Sequence, residues 1–371
     1  MQRKFRIAYF AHSIRSDWNN GNAHFLRGLI RELIALGHEV VAYELSENWS
    51  IQNLVLESKG RRSVNDFHHR FPEIVVRLYS DQTLKDDAHW KHELRDTEIV
   101  IVHEWNSPAL TQMLLALRNE LRFKLLFHDT HHRASSDPEQ IHLLGVSRFD
   151  GVLAFGESLQ HLYIETLGMR NTWILHEAAD TSVFHPLCCP EKKHDLVWIG
   201  NWGDDERSQE ICEFLVRPIS ELQLVSPVVF GVRYPERGIF ALENAGITFG
   251  GYLPNLDAPE VFSESRLTVH IPRRHYATAM YGIPTIRVFE ALACGIPLIS
   301  APWQDIEHLF RPGDFHFVRN GEEMRKTMAH LLNDSAAAEE QALRGLETVL
   351  QRHTCRHRAE ELTAICEEVS R

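Results

Sequence analysis

A chain of 371 residues is long for a single hydrophobic core and comfortable for two. Its 44% apolar and 9% aromatic content excludes a disordered or fibrous protein. A formal charge of −12 excludes the basic footprint of a nucleic-acid binder, so a phosphate-bearing ligand would have to be met by locally gathered positive charge. Cys188, Cys189, Cys212, Cys294, Cys355 and Cys366 show no C-x-x-C spacing, which points to a reducing compartment and away from structural zinc. The opening MQRKFRIAYF has no apolar signal region, and no apolar run reaches the ~20 residues of a membrane span, so a cytoplasmic protein is expected.

In chain order, residues 5–12 form an apolar run of strand length, and 13–22 a polar loop. Residues 23–36 carry Phe25, Leu29, Leu33 and Leu36 at helical spacing, until Gly37 stops the helix. Residues 39–44 return as a strand, with a crossover length suited to parallel pairing. The loop DWNNGNAH holds Gly21 between Asn20 and Asn22, and its single glycine is not the dinucleotide fingerprint G-x-G-x-x-G. Residues 46–71 are mostly polar and are assigned no element. Residues 73–79 and 98–103 read as buried strands and 108–121 as a helix. Strands at 124–128 and 150–156 follow, then a helix at 159–167 closed by Gly168. This alternation predicts a doubly wound parallel sheet, whose ligands gather at the carboxyl ends of strands. Two polar clusters fall at such ends, His103 with Glu104 and His128 with Asp129. His128, Asp129, His131 and His132 are ligand types for zinc or manganese, but two histidines on a loop make no site without a further carboxylate placed by the fold, and no metal is expected. A histidine near a reacting oxygen could instead donate or accept a hydrogen bond, and His128 is the first candidate, with Asp129 orienting it.

The segment 187–194 is polar and proline-bearing, as a domain boundary should be. A second set of elements begins with the strand 195–200, whose exit GNWGDDERSQE places Arg207 at a helix start. Strands at 227–232 and 267–271 follow, with a short helix at 257–265 between them, and Arg273 and Arg274 stand just past the second strand. In YGIPTIRVFEALACGIPLIS, residues 281–300, Pro284 and Thr285 open a helix that Gly295 closes, and a short strand follows. A free helix N-terminus behind a glycine loop is a natural anion site. Arg287 and Glu290 lie three apart on one face, which suits either a surface ion pair or an acceptor one turn below a phosphate. Helices are expected at 304–309 and 321–332, a strand at 315–318, and a long, charged, helical tail over 335–370.

Residues 282–300 resemble the donor-binding segment of retaining GT-B glycosyltransferases of the family 4 type. That pattern is Glu, seven residues, Glu, then Ala-(Met/Leu/Ala)-Ala-Cys-Gly-x-Pro. Arg-Val-Phe-Glu-Ala-Leu-Ala-Cys-Gly is most similar to the CgeB-like (spore maturation protein) branch. Glu290 matches the second Glu, and the first falls at Gly282. The segment NTWILHEAADTSVFHP, with Asp180, Phe184 and Pro186, resembles the family's interdomain linker. The resemblance implies an α/β GT-B fold: two doubly wound Rossmann-like domains facing across a cleft, with a C-terminal helix crossing back. It divides the chain into an acceptor-binding domain at 1–178, a nucleotide-sugar-binding domain at 187–350 and a returning helix at 351–371.

The same resemblance implies roles. Glu290 would hold the ribose, and the Thr285 and Ile286 N–H groups with Arg287, Arg207, Arg273 and Arg274 the diphosphate. Gly200, Asn201 and Gly21 would lie beside the phosphates, and Asn20, Asn22 and His103 beside the acceptor. His128, Asp129 and Glu104 would be catalytic. The expected donor is a UDP-, GDP- or dTDP-linked sugar, used without cofactor or metal and with retention. The acceptor is a glycan, lipid, protein or small molecule. Rival readings are a nucleotide-sugar epimerase or hydrolase of the same fold, a metal-dependent hydrolase built on HDTHH, and a non-catalytic relative that acts as a partner protein.

Overall fold

The run IVIVH at Ile99–His103 is buried at every position, which only a strand covered on both faces by a parallel sheet's helices tolerates. The computed structural model describes residues 3–188, 191–203 and 207–371. Cys189 and the acidic stretch between Gly203 and Arg207 lie outside them.

The chain divides into two compact units, Met1–Glu177 with Cys355–Arg371, and Ala178–Thr354. In the first, strands β1 (Arg6–Phe10), β2 (Glu39–Leu45), β3 (Val75–Tyr79), β4 (Ile99–His103), β5 (Lys124–Asp129), β6 (Gly151–Ala154) and β7 (Thr172–Ile174) form a seven-stranded sheet in the order β3-β2-β1-β4-β5-β6-β7. In the second, β8 (His194–Ile199), β9 (Val228–Phe230), β10 (Thr248–Gly251), β11 (Ser265–His270), β12 (Leu298–Ser300) and β13 (His316–Phe317) take the order β10-β9-β8-β11-β12-β13. All pairs are parallel, as 1-to-2 and 8-to-11 registers such as Tyr9 on Ala42 and Leu267 on Leu196 show. Each sheet reverses its winding once, at β1/β4 and at β8/β11. The crevice outside the carboxyl ends of such a pair is where an open α/β sheet binds ligands.

Helix α1 (Ala23–Ala35) follows β1 and buries Phe25, Leu26, Leu29, Ile30 and Leu33. The C-terminal helix Cys355–Val369 belongs to the first unit and lies against α1, burying Ala359, Leu362, Ile365 and Cys366. Among the described residues no helix is long and apolar enough to cross a membrane. Cys188, Cys212, Cys294, Cys355 and Cys366 form no disulfide.

Three local expectations change. The unassigned stretch 46–71 folds as two helices, α2 (Trp49–Leu54) and α3 (Gly60–Arg70). β3 is an edge strand with Val75 and Leu78 half exposed, so it is not a buried one. Residues 304–309 form no helix, because the Asp305 carboxylate takes the N–H groups of Leu309 and Phe310 and competes with helical bonding. The helical tail comes as two helices, Ser335–Arg352 and Cys355–Val369, broken where the His353 carbonyl accepts from Ala179 N–H and its ring Nε2–H donates to the carbonyl of Leu309.

Candidate functional site

The carboxyl ends of β4 and β5 lie in register, His103 beside His128. Both rings are fully buried and meet edge to face at 5.8 Å between centroids. Burial pushes the His128 pKa down to about 3 and the His103 pKa well below its usual value, so both are neutral. The Tyr9 hydroxyl is bonded to His128 Nδ1 and holds that ring. With Tyr9 as donor, the His128 proton sits on Nε2, which has no partner. Asp129 does not orient His128. Its carboxylate accepts from Tyr163 Oη at 2.6 Å and from the His131 N–H at 3.0 Å.

Thr130 ties the cluster together. Its N–H donates to Glu104 Oε2 at 2.8 Å and its hydroxyl to Glu104 Oε1 at 3.2 Å. The same oxygen then accepts from Asn22 Nδ2 at 2.6 Å and from His103 Nε2 at 3.1 Å. That network fixes His103 as the Nε2–H tautomer. Glu104 and Asp129 are both completely buried, and burial raises both carboxyl pKa values. The neighbouring Asp129 charge adds to the rise at Glu104, while the bonds from Tyr163 Oη and the His131 N–H temper the rise at Asp129. Arg133 lies over the Trp105 ring at 3.9 Å and bonds the Glu104 carbonyl.

So Asn22, His103, Glu104, His128 and Asp129 are brought together through Thr130 and Tyr163. Asn20 is used otherwise, closing its own loop by donating to the carbonyls of Ser13 (2.9 Å) and Ser16 (3.3 Å), with the half-buried Gly21 beside it. Thr130 and Arg133 stand inside HDTHHR, read there for its histidines alone, while Tyr9 and Tyr163 carry no motif and are placed by strand register and by the helix Glu157–Glu165, whose Tyr163 reaches Asp129. Among the described residues no three His, Cys, Asp or Glu side chains converge as a metal-holding group.

In the second unit the ends of β8 and β9 interlock. Gly200 N–H donates to the Phe230 carbonyl at 2.9 Å, Tyr234 Oη donates to the Gly200 carbonyl at 2.7 Å, and Asn201 Oδ1 accepts from Val232 N–H at 2.8 Å. A Cβ on Gly200 would stand 2.7 Å from the Trp198 ring, so glycine is required by the close approach. Arg207 lies over that ring at 5.6 Å and donates to the Ile271 carbonyl at 3.0 Å, which carries it across the β8/β11 reversal to the loop of Arg273 and Arg274. Arg274 is exposed and forks onto Glu210 at 2.7 and 3.0 Å, while Arg273 is half-buried at the head of a short helix.

The helix Ile286–Ala293 begins at Thr285, which is extended (φ −76°, ψ 156°) and whose side chain caps no N–H. Glu290 on that helix is completely buried and is bonded to Arg287, which is part exposed. The ion pair expected as the plainer alternative thus exists, but its acid is inside the protein, where an ionised carboxylate must be compensated. Gly282 has φ +86°, and a Cβ there would meet Ile306 at 2.8 Å and Glu307 at 3.0 Å. Its conformation is one a glutamate would adopt only under strain.

The architecture now has close counterparts among solved structures. HepE of Anabaena, in complex with UDP and glucose, superposes with a TM-score of 0.71 at 12% identity, covering 98% of this chain and 100% of that one. A glycosyltransferase from Rickettsia africae gives 0.68 at 12% identity, with 99% of each chain covered. Sucrose-phosphate synthase from Thermosynechococcus elongatus gives 0.67 at 15%, again with 99% of each. The fold is GT-B. A family model described as glycosyl transferase-like matches residues 207–364, from Arg207 through Glu290 into the C-terminal helix. No curated protein sequence matches this chain. In the GT-B chain described here, both winding reversals therefore carry polar residues that sequence had singled out: Asn22, His103 and Glu104 at one, Gly200, Asn201, Arg207 and Arg273 at the other.

Proposed function

We propose that this protein is a glycosyltransferase that moves a hexosyl group from a nucleotide-diphosphate sugar to an acceptor, with retention and without a metal. The observation that carries the proposal is Glu290, a completely buried carboxylate one turn inside a helix whose first N–H groups are left uncapped by Thr285. A side chain so placed serves a hydroxyl-bearing ligand whose phosphates meet the helix end. The glycosyl transferase-like match over 207–364 supports the same assignment.

In this reading the second unit takes the donor. Glu290 accepts from the ribose, and the N–H groups of Thr285 and Ile286 with Arg207 and Arg273 meet the diphosphate. Arg287 neutralises Glu290, and Arg274 acts through Glu210. When the bond from the anomeric carbon to the diphosphate oxygen breaks, the electron pair leaves on the diphosphate. Stabilising that charge is the main catalytic task, and fixed N–H dipoles and guanidinium groups suit it. The acceptor oxygen then bonds the anomeric carbon and gives up its proton. The first unit would hold the acceptor, with His128 Nε2–H as a hydrogen-bond donor and the Glu104–Asp129 pair, whose carboxyl groups burial makes more basic, as the group that takes the acceptor's proton. UDP is the first nucleotide to try, because HepE of the same fold holds it.

The test is a thermal-shift panel of UDP-, GDP- and dTDP-sugars. One of them should raise the melting temperature, and Glu290→Ala should abolish the rise. No shift of the wild-type melt with any of the three overturns the donor assignment. A second reading rests on Gly282, whose crowded backbone removes a carboxylate from the donor loop: a nucleotide-sugar binder without transfer. Donor binding with neither transfer nor hydrolysis over a panel of acceptors would favour it.

A further inference from the structure

The turn between α2 and α3 holds apolar side chains out in solvent. Leu56 is 83% exposed, Val55 46% and Trp49 45%. Their exposure is built in. Leu56 N–H bonds the Asn53 carbonyl at 3.1 Å, Glu57 N–H the Leu54 carbonyl at 3.0 Å, and Gly60 N–H the Glu57 carbonyl at 2.9 Å. Gly60 packs so close to the Leu54 carbonyl that a Cβ would stand 1.7 Å from it, which locks the turn onto the start of α3. Trp49 is propped edge-on against Trp18, at 4.9 Å between centroids.

From that turn α3 runs with one face buried through Gly60, Ser63 and Phe67. Its other face presents Arg61, Arg62, His68 and His69, with His68 and His69 each seven residues, or two turns, beyond Arg61 and Arg62, and all four exposed. Lys59 and Arg70 stand exposed at its two ends. Of the acids here, Glu57 accepts from Trp18 Nε1 at 2.8 Å and Asp66 pairs with Arg62 at 3.0 Å, while Glu47 stands exposed before α2. A chain of net charge −12 thus collects basic residues beside its most exposed leucine. Repulsion from the remaining charge is screened beyond ~10 Å at ordinary ionic strength, so the local stripe decides what approaches this face.

We propose that the α2–α3 face is a docking surface for an anionic lipid bilayer. Leu56, Val55 and Trp49 enter the boundary between headgroups and acyl chains, and Arg61 and Arg62 lie over lipid phosphates. Apolar residues with a tryptophan at the water boundary, flanked by a basic stripe, are the composition of an interfacial rather than a spanning element. The charge argues for an anionic surface, and the apolar tip argues for one with an accessible hydrocarbon layer. The proposal is independent of what the second unit binds.

The experiment is co-sedimentation of the full chain with phosphatidylcholine vesicles, with and without phosphatidylglycerol as about a third of the lipid. Wild type should pellet with the anionic vesicles and stay in solution with neutral ones. Arg61→Gln/Arg62→Gln should bind at least about tenfold more weakly, since each basic residue near such a surface counts for about fivefold. Leu56→Ser should weaken the binding that survives in high salt. All these side chains are exposed, so an unchanged melting curve is expected for each variant and serves as the folding control. Wild type remaining in solution with anionic vesicles overturns the proposal, as do equal pelleting with neutral vesicles or wild-type binding by the double variant. Displacement from vesicles by an oligonucleotide of equal charge, bound as tightly, would reassign the face to nucleic acid and also overturns it.

Discussion

His270 closes β11 beside Arg207 and shows how a buried residue at the β8/β11 reversal is set. Ser300 Oγ donates to the Ala301 carbonyl at 2.9 Å, so its bond to His270 Nδ1 at 2.9 Å is one it accepts. The ring is therefore the Nδ1–H tautomer, and burial, helped by the nearby Arg207 charge, pushes its pKa down to about 3. A histidine kept neutral in the folded state and free to protonate in the unfolded one binds fewer protons when folded. Its contribution is complete above its ordinary pKa and is lost as pH falls from there toward about 3. Between about pH 7 and about pH 5 the loss is about 2 kcal/mol. His270→Asn should flatten the pH dependence of urea unfolding across that window, and coincident slopes for variant and wild type would refute the assignment. Gly282 is the other residue whose reason is local. Ile306, whose side chain would meet an added Cβ, is 42% exposed and can move, so the positive φ sets the cost. Gly282→Ala should lose about 1–3 kcal/mol by urea unfolding, and an unchanged midpoint would show that the backbone relaxes there. Glu290 and Arg207 were legible because their neighbours form a motif. Tyr9, Tyr163 and His270 were not, because strand register and a helix on the sheet bring them in from distant parts of the chain, and Thr130 was hidden among the histidines of HDTHH.

Elements were legible where the chain writes its own boundaries. The helix Gly321–Asn333 begins at Asn320, whose Oδ1 accepts Glu323 N–H at 2.9 Å, while Glu323 Oε2 reaches back to Arg319 N–H at 2.9 Å. Such reciprocal capping is visible in sequence. Asn320→Ala should cost about 1 kcal/mol, because the exposed cap is replaced by water rather than left orphaned. A thermal melt resolves that loss, and a neutral result would mean Glu323 alone holds the helix end. α2 and α3 were illegible for the opposite reason. Asn48 caps α2 by accepting Ile51 N–H at 3.0 Å, but the apolar anchors are only Ile51, Leu54 and Phe67, too few to show a period in a polar stretch. The helix expected at 304–309 failed because Asp305 offers the backbone a competing acceptor. The edge position of β3 depends on strand order, which local pattern does not encode.

At the scale of the molecule, the parallel α/β class followed from alternation alone, whereas the return of the last helix was implied only by the resemblance and not by the pattern of the chain. Periodicity over 335–370 is continuous, and nothing in it marks His353 and Thr354 as the place where the chain leaves one unit for the other. The structure marks it by contacts: Ala179 N–H on the His353 carbonyl at 3.0 Å before the break, and His38 Nε2 on Thr363 Oγ1 at 2.9 Å after it. Leu362 and Ile365 are buried against the first unit, and burying two such side chains is worth about 4 kcal/mol before the buried Cys366 and Ala359 are counted. A domain's whole stability is about 5–15 kcal/mol, so a chain ending at Thr354 should keep little of the first unit folded. The second unit, 178–354, loses none of its own residues in that chain. Limited proteolysis should then cut within α1 and β2 while a fragment near 178–354 persists. Equal resistance of both halves would show that the C-terminal helix is dispensable, and loss of both would show that the two units fold as one cooperative body.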